Sequence, residues 1–193
     1  MKCPHCQAAL TEEVTACPKC WFNYDSLEET FGRMPTLKGA LSDLPHLLPS
    51  RQASKVRKVL SRFERQFPQL DFTALITTAP SAEPLAKYAF WVFNGGGLCS
   101  HLHKGGLNFH ILLVLDIEHQ RANLSLGYGL EPFVSEDDLH SILSAGESLI
   151  VEENYGDAIL AILAKASEVL QERSSAIPQI YGLRRKKPPR NEH

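Results

Sequence analysis

Two pairs of cysteines near the start of the chain constrain its fold more than any other feature. Cys3 and Cys6 form the first pair, Cys17 and Cys20 form the second, and a proline follows the first cysteine of each pair. A two-residue gap lets one tight turn direct two thiolates at the same ion, and two such turns complete a four-sulfur site. Thiolates favour zinc, with iron as the rival for this geometry. The spacing therefore predicts a zinc ribbon over residues 1–24 that holds one structural zinc ion.

Two disulfides are the alternative use of these cysteines. They are disfavoured because Met1-Lys2 leads directly into the cysteines without an apolar signal segment, and reducing compartments disfavour disulfides. We expect a cytoplasmic protein with no transmembrane segment, since no apolar run approaches the roughly 18 residues of a membrane span. Four thiolates leave no position for water or substrate, so we expect the site to be structural or to support an interaction.

The rest of the sequence has the composition of a globular domain. Of its 193 residues 44% are hydrophobic, and the net charge is −2. This composition suits one medium α/β domain in addition to the ribbon. The prolines and glycines of residues 25–49 predict a linker, or an extended segment packed on the next domain. We expect the α/β domain over residues 50–173 and a basic, disordered tail over residues 174–193.

Hydrophobic periodicity predicts alternating helices and strands within residues 50–173. We expect a helix capped by Ser50, strand 70–78, helix 85–94, strands 108–117 and 121–127, one helix from Ser135 to Ile150, and a last helix over 158–173. The order α-β-α-β-β-α-α predicts an α/β fold in which a small mixed sheet is sandwiched by helices.

Charge is distributed unevenly along the chain. The segment from Arg51 to Phe67 has six Lys or Arg residues and one Glu, whereas the segment from Pro68 to Arg173 has five basic and fourteen acidic residues. The tail from Arg184 to His193 has five basic residues and one Glu. The tail can meet nucleic acid, anionic lipid or an acidic protein surface, and its alternative is a solvated, disordered end. The basic helix can present a positive face to a partner, and its alternative is a solvated surface.

A short motif follows the predicted hairpin. It reads Gly127-Tyr128-Gly129-Leu130-Glu131. Together with Phe93-Asn94 before a glycine-rich loop, the apolar strand at Leu112–Leu115, and Arg121 at the start of the next strand, it resembles the TPM domain. This family is found in thylakoid-lumen photosystem repair proteins and in many bacterial proteins. The resemblance covers residues 50–171.

The resemblance implies an α/β sandwich and, as reported for some relatives, acid phosphatase activity or binding of divalent cations. A hard-cation or phosphatase site needs several oxygen ligands. In the family, the loop before the central strand often supplies Asp and Asn residues, whereas residues 95–109 here contain no carboxylate. We therefore assign no catalytic residue, and a small-molecule substrate is disfavoured.

The glycine-rich loop carries Cys99, His101 and His103 instead. Alternate side chains of an extended segment point the same way, so these three residues are a candidate second site for a soft or borderline ion. Asp116 and His119 would join this site if the fold brought them close. The alternative is an exposed polar loop with a free thiol.

The motif itself offers one further candidate, Glu131. This residue is either a metal ligand or an acceptor for backbone amides that holds the turn. Gly127 and Gly129 are expected to adopt positive φ angles.

Three functions follow from these features. The favoured one is a non-catalytic adaptor that binds a protein partner, with one metal ion per chain and no turnover. A metal-dependent phosphoester hydrolase is implied by the resemblance alone. Nucleic-acid binding through the ribbon, the basic helix and residues 184–190 predicts salt-sensitive affinity.

Overall fold

The computed structural model describes residues 3–6, 8–11, 14–80, 83–98 and 106–180, and the structural statements below concern these ranges. The helices are α1 (Asp25–Phe31), α2 (Ser50–Gln66), α3 (Leu85–Gly95), α4 (Glu136–Ser144), α5 (Glu147–Val151) and α6 (Tyr155–Ile180). The strands are β1 (Leu41–Asp43), β2 (Asp71–Thr77), β3 (His110–Asp116) and β4 (Arg121–Leu126). None of the described helices combines the length and apolarity needed to cross a bilayer.

The four strands form one mixed sheet in the order β1-β2-β3-β4. The first three strands run parallel, and β4 pairs with β3 in the antiparallel direction. Every residue of β3 is buried, as expected for a central strand covered on both faces. The predicted mixed sheet is confirmed.

Helices cover both faces of this sheet. Alternate residues of each strand point to opposite sides, and the apolar residues on both sides need to be buried. On one face Ile111 and Leu113 share a core with residues of α2, α4, α5 and α6. On the other face Leu112 and Val114 pack with α3 and with the segment that precedes the sheet. The predicted sandwich of helices around the sheet is therefore confirmed.

Two helix ends differ from the predictions. The N-cap of α2 is Pro49 and not Ser50, and no side-chain cap is formed; the fixed φ of proline suits the residue before a first helical turn. The helix predicted from Ser135 to Ile150 is divided into α4 and α5 at Gly146. A Cβ at Gly146 would lie 2.8 Å from the Ile162 side chain of α6, so glycine permits a close approach there but weakens the helix. The Ser135 cap itself is confirmed.

Residues 25–49 contain both α1 and β1, and they are packed on the domain. Strand β1 pairs with β2, so the sheet begins before residue 50. The ring of Phe31 in α1 lies 5.3 Å from that of Trp91 in α3. At the other end, α6 continues to Ile180, beyond the predicted boundary at residue 173. A three-residue strand is too short to show a period, and Ser174, Ser175 and Pro178 disfavour a helix prediction for the end of α6.

Candidate metal centre

Four thiols meet between two turns at the start of the chain. The Sγ atoms of Cys3 and Cys20 are 3.7 Å apart, as are those of Cys6 and Cys17, and all four lie within 4.8 Å of one another. Sulfur atoms at the corners of a tetrahedron, with metal–sulfur bonds of about 2.3 Å, are separated by about 3.8 Å. The four cysteines are free of disulfides. The cluster therefore fits a metal ion held by four thiolates.

The two turns share one hydrogen-bond pattern. The amide of Cys3 donates to the carbonyl of Ala8, and the amide of Cys17 donates to the carbonyl of Phe22, both at 2.8 Å. Each bond joins the first cysteine of a pair to the residue five positions later. The two segments are too short to bury a hydrophobic core of their own. The shared hydrogen bond gives both turns the same backbone shape, so each places its two sulfurs in the same relative positions.

Ionisation of the thiols depends on their surroundings. Burial opposes ionisation of Cys17, but hydrogen bonds from the amides of Lys19 and Cys20 outweigh it and lower the pKa of Cys17 to about 7. Burial raises the pKa of Cys20 to about 12, and the neighbouring thiols add to this increase. Adjacent negative charges disfavour each other, and a cation between them removes that cost. The cluster is thus suited to a cation.

Aromatic contacts hold the ribbon on α3. The ring of Phe22 lies 5.8 Å from that of Phe90 and 6.3 Å from that of His5. The ring of Tyr24 lies 6.3 Å from Phe90, and a Cβ on Gly95 would come within 2.1 Å of the Tyr24 hydroxyl. Glycine at this position of α3 therefore makes room for Tyr24. The ribbon and the α/β domain form one packed unit along this face.

Trp21 differs from its two aromatic neighbours. The position of Trp21, Phe22 and Tyr24 directly after the second cysteine pair predicts that all three rings cover the ribbon. This prediction is wrong for Trp21, whose side chain is 78% exposed. Its backbone has a φ of 61°, a left-handed conformation that is unfavourable for a bulky side chain. A 2.8 Å hydrogen bond from the Trp21 amide to the carbonyl of Cys17 holds this conformation. The turn that carries Cys17 and Cys20 therefore presents an indole ring to solvent.

The candidate second site, Cys99, His101 and His103, lies outside the described residues. Within the described ranges, the four ribbon cysteines are the group that brings three or more metal-ligating side chains together. Glu131 is exposed and lines a groove of about 460 Å³ between α3 and β4. Its role as a ligand or as a support for the turn remains a prediction.

The glycines of the motif turn serve close packing and not positive φ. The positive-φ glycines of the described chain are Gly32, Gly39 and Gly97, so the expectation for Gly127 and Gly129 is wrong. A Cβ at Gly127 would lie 1.9 Å from the carbonyl oxygen of Leu107, a backbone atom that cannot move aside. The turn at Gly127 therefore packs directly against the backbone segment that precedes β3.

The variant Gly127→Ala is expected to lower the free energy of unfolding by about 2–3 kcal/mol, because the new methyl group forces the two backbone segments apart. Urea denaturation measures this loss. Ser125→Ala, in the adjacent strand, removes one hydrogen bond to Asn123 and is expected to cost less than about 1 kcal/mol. Equal losses for the two variants would contradict the packing role of Gly127.

Asp116 and His119, named above only as possible additions to the second metal site, form a polar cluster with Arg121 that the sequence did not predict. The Asp116 side chain is fully buried, and both Nε and Nη2 of Arg121 donate to its Oδ2 atom, at 3.1 and 2.6 Å. The amide of Ala79 donates to Oδ1 at 3.2 Å, and Nδ1 of His119 lies 2.8 Å from Oδ2. Burial would raise the pKa of Asp116, but these hydrogen bonds outweigh it and hold the pKa below its ordinary value. The cluster ties the end of β3 to its hairpin and to the end of β2.

His110 is a second buried polar residue, at the other end of β3. Its Nε2 atom lies 3.0 Å from the hydroxyl of Thr73, and it lines a cavity of about 260 Å³ with Asp71 and Leu98. Burial disfavours the charged imidazole and outweighs the attraction of Asp71, which lowers the pKa of His110 to about 4. The ring is therefore neutral in the folded protein at neutral pH.

The low pKa of His110 predicts a pH-dependent stability. The unfolded chain binds a proton below a pKa of about 6.5, whereas the folded chain binds it only below about 4, so stability falls as the pH decreases between these values. Between pH 7 and pH 5 we expect His110 to contribute a loss of about 2 kcal/mol. Urea denaturation at both pH values should show a smaller loss for His110→Gln. The exposed His140 provides the control, and identical pH dependence in His110→Gln and His140→Gln would contradict this assignment.

Comparison with known proteins places the α/β region. A family model described as the TPM domain matches residues 41–169. None of the curated proteins matches the chain significantly. The match covers the four strands and most of α6, and it leaves the cysteine cluster outside.

Solved structures share this fold. The N-terminal domain of the cg2496 protein from Corynebacterium glutamicum has 9% identity and a TM-score of 0.53, over 71% of this chain and 83% of that domain. The BA42 protein from Bizionia argentinensis has 14% identity and a TM-score of 0.57, over 67% of this chain and 86% of its own. The N-terminal domain of a P. gingivalis protein has 21% identity and a TM-score of 0.57, over 69% and 82%. At these identities the likeness establishes the fold alone.

Proposed function

Because the chain belongs to the TPM domain family and adds a four-cysteine cluster to that domain, we propose that it is a zinc-binding, non-catalytic adaptor. Its ribbon binds a protein partner, and its TPM domain is the scaffold against which the ribbon packs. The observation that carries this proposal is the exposed Trp21, held in an unfavourable conformation by the turn that carries Cys17 and Cys20.

Zinc is the metal that we assign to the cluster. Four soft thiolate ligands at tetrahedral separations suit zinc, and such a set fills its four positions. A closed site supplies no bound water and no open position for substrate. The zinc ion therefore joins the turn that carries Cys3 and Cys6 to the turn that carries Cys17 and Cys20. Its role is structural.

The conformation of Trp21 argues for a partner. Glycine adopts a left-handed backbone without steric cost, whereas a residue with a side chain pays about 1–2 kcal/mol. The Trp21 side chain is 78% exposed, so its packing within the chain offsets little of this conformational free energy. Exposed tryptophans contribute strongly to protein interfaces, because a large ring is desolvated at little entropic cost. The benefit of Trp21 is therefore expected in a complex.

The variant Trp21→Gly tests this function. It is expected to remain folded and zinc-loaded, since glycine suits the left-handed backbone, and to lose its partner in quantitative affinity capture from cells that express the chain. Val151→Ala removes another exposed apolar side chain, 58% accessible, and should retain the partner. A set of captured proteins that is the same for all three chains would contradict the proposal.

Turnover provides an independent test. A phosphoester hydrolase, as the family resemblance first implied, would hydrolyse p-nitrophenyl phosphate in the presence of a divalent cation. The adaptor predicts no hydrolysis above that of a heat-denatured sample. Hydrolysis that co-purifies with the chain through two chromatography steps would contradict the non-catalytic assignment.

A further inference from the structure

One face of α2 carries a straight row of positive charge, which we name the basic stripe. It consists of Arg51, Lys55, Lys58, Arg62 and Arg65, all exposed. Successive members are three or four residues apart, so they lie on one side of the helix within about 80° of one another. At 1.5 Å per residue the stripe is about 21 Å long. The apolar residues Val56, Leu60 and Phe63 point away from it, into the core.

Little in the described structure neutralises this stripe. Lys55 forms an ion pair with Asp157 at 3.2 Å, and both side chains are well exposed, so the pair is weak and exchangeable. The other four cations of the basic stripe form no ion pair with any residue that the structure describes. Ser54 and Ser61 flank the stripe and are exposed, which adds hydroxyl donors beside the charges. The surface thus offers donors along one line.

We propose that the basic stripe binds the phosphate backbone of a nucleic acid without reading its sequence. Stripe cations recur about every 4.5–6 Å along the helix, whereas the phosphates of a DNA strand recur every ~3.4 Å along its axis. The phosphates are therefore more closely spaced than the cations, and the row offers this polymer charge complementarity without exact registry. Arginine in particular pairs with phosphate through two parallel hydrogen bonds.

A lipid surface fits this helix less well. Helices that lie in a membrane interface insert their apolar face, but the apolar face of α2 is already buried against the sheet and α6. The exposed large apolar side chains of the described chain all lie outside α2. The stripe therefore presents charge and hydroxyl groups alone.

The stripe is also separate from the proposed adaptor surface. Helix α2 covers one face of the sheet, whereas α3 and the ribbon cover the other. The two proposals can therefore fail independently, since Trp21→Gly leaves the stripe unchanged and stripe variants leave the ribbon unchanged.

Fluorescence anisotropy with a labelled 20-base-pair DNA duplex tests the stripe. We plot the logarithm of the association constant against the logarithm of the salt concentration. Five phosphate contacts by the stripe should contribute about −4.5 to the slope of this plot. The double variant Lys58→Glu plus Arg62→Glu should weaken binding at least tenfold and reduce the steepness of this slope by about 2.

The matched control is Arg33→Glu plus Arg57→Glu, which makes the same change in net charge. Arg33 lies outside α2, and Arg57 lies about 120° around the helix from the centre of the stripe; both are exposed. This control should keep its affinity within about threefold, and because the basic tail is present in every variant, the difference between the two double variants reports on the basic stripe. Equal losses in the two double variants would overturn the proposal. Binding to phosphatidylglycerol vesicles but not to DNA or RNA would also overturn it.

Discussion

The double variant Cys3→Ser plus Cys17→Ser is expected to lose its zinc and, with it, the folded structure of the two cysteine turns. Each substitution removes one thiolate from a different turn, and two thiolates are too few to hold the ion. Structural zinc supplies roughly 10–16 kcal/mol in small zinc modules, far more than this segment gains from its own packing. Amide NMR spectra should show that ribbon signals collapse, while signals of β2 and β3 keep their dispersion.

Cys99→Ser is the control for this experiment, because it removes the fifth cysteine and leaves the four-sulfur cluster complete. It should retain its metal content and its ribbon signals. A double serine variant that still bound one equivalent of zinc and kept a dispersed ribbon spectrum would contradict the structural role of the metal.

The variant Asp116→Ala is expected to lower the free energy of unfolding by about 2–4 kcal/mol. The Asp116 side chain is fully buried, whereas that of Arg121 is 33% exposed, so the charge left without its partner is partly solvated. Here Arg121 would lose two hydrogen bonds and the amide of Ala79 would lose its acceptor, so three ends of secondary structure lose their common anchor. Urea denaturation at pH 7 measures the change.

Glu168→Ala provides the comparison for Asp116→Ala. Glu168 pairs with Lys165 at 3.0 Å, but its side chain is 57% exposed, and such surface pairs contribute less than about 1 kcal/mol. A loss for Asp116→Ala as small as that for Glu168→Ala would show that the buried cluster is not a major support of the sheet.

The metal cluster was predictable because its information is local. Two residues between paired cysteines fix how far apart two sulfurs can lie, and no distant contact is needed to interpret that spacing. The sheet and its helices were predictable for a similar reason, since β3 is continuously apolar and α2 has an apolar stripe of helical period. Their order along the chain then limited the arrangement of layers.

Other features depend on contacts between distant residues. The burial of Asp116 follows from the hairpin that returns Arg121 to it and from the amide of Ala79 at the end of β2. Gly127 looks like a turn glycine in the sequence, but its need for glycine comes from the backbone of Leu107. A carboxylate at the end of an apolar strand, with His119 three and Arg121 five positions later, is the signal that could have revealed the Asp116 cluster.

The exposure of Trp21 was missed because composition favours burial of aromatic residues in a small module. The backbone decides otherwise, since Trp21 has a left-handed conformation after Cys20 and an exposed side chain, whereas Phe22 and Tyr24 are half-buried. The same limit applies to residues 25–49, whose prolines and glycines resemble a linker although β1 lies among them.

Elemental analysis of the full chain shows whether one zinc ion occupies the four-cysteine cluster. The protein should be purified without chelators and without nickel affinity resin, and its zinc, iron and nickel contents measured against the protein concentration. We expect one zinc per chain in the native protein and in Cys99→Ser, and none in Cys3→Ser plus Cys17→Ser. A native protein that is fully folded yet contains no metal, or one that contains iron in place of zinc, would contradict this expectation.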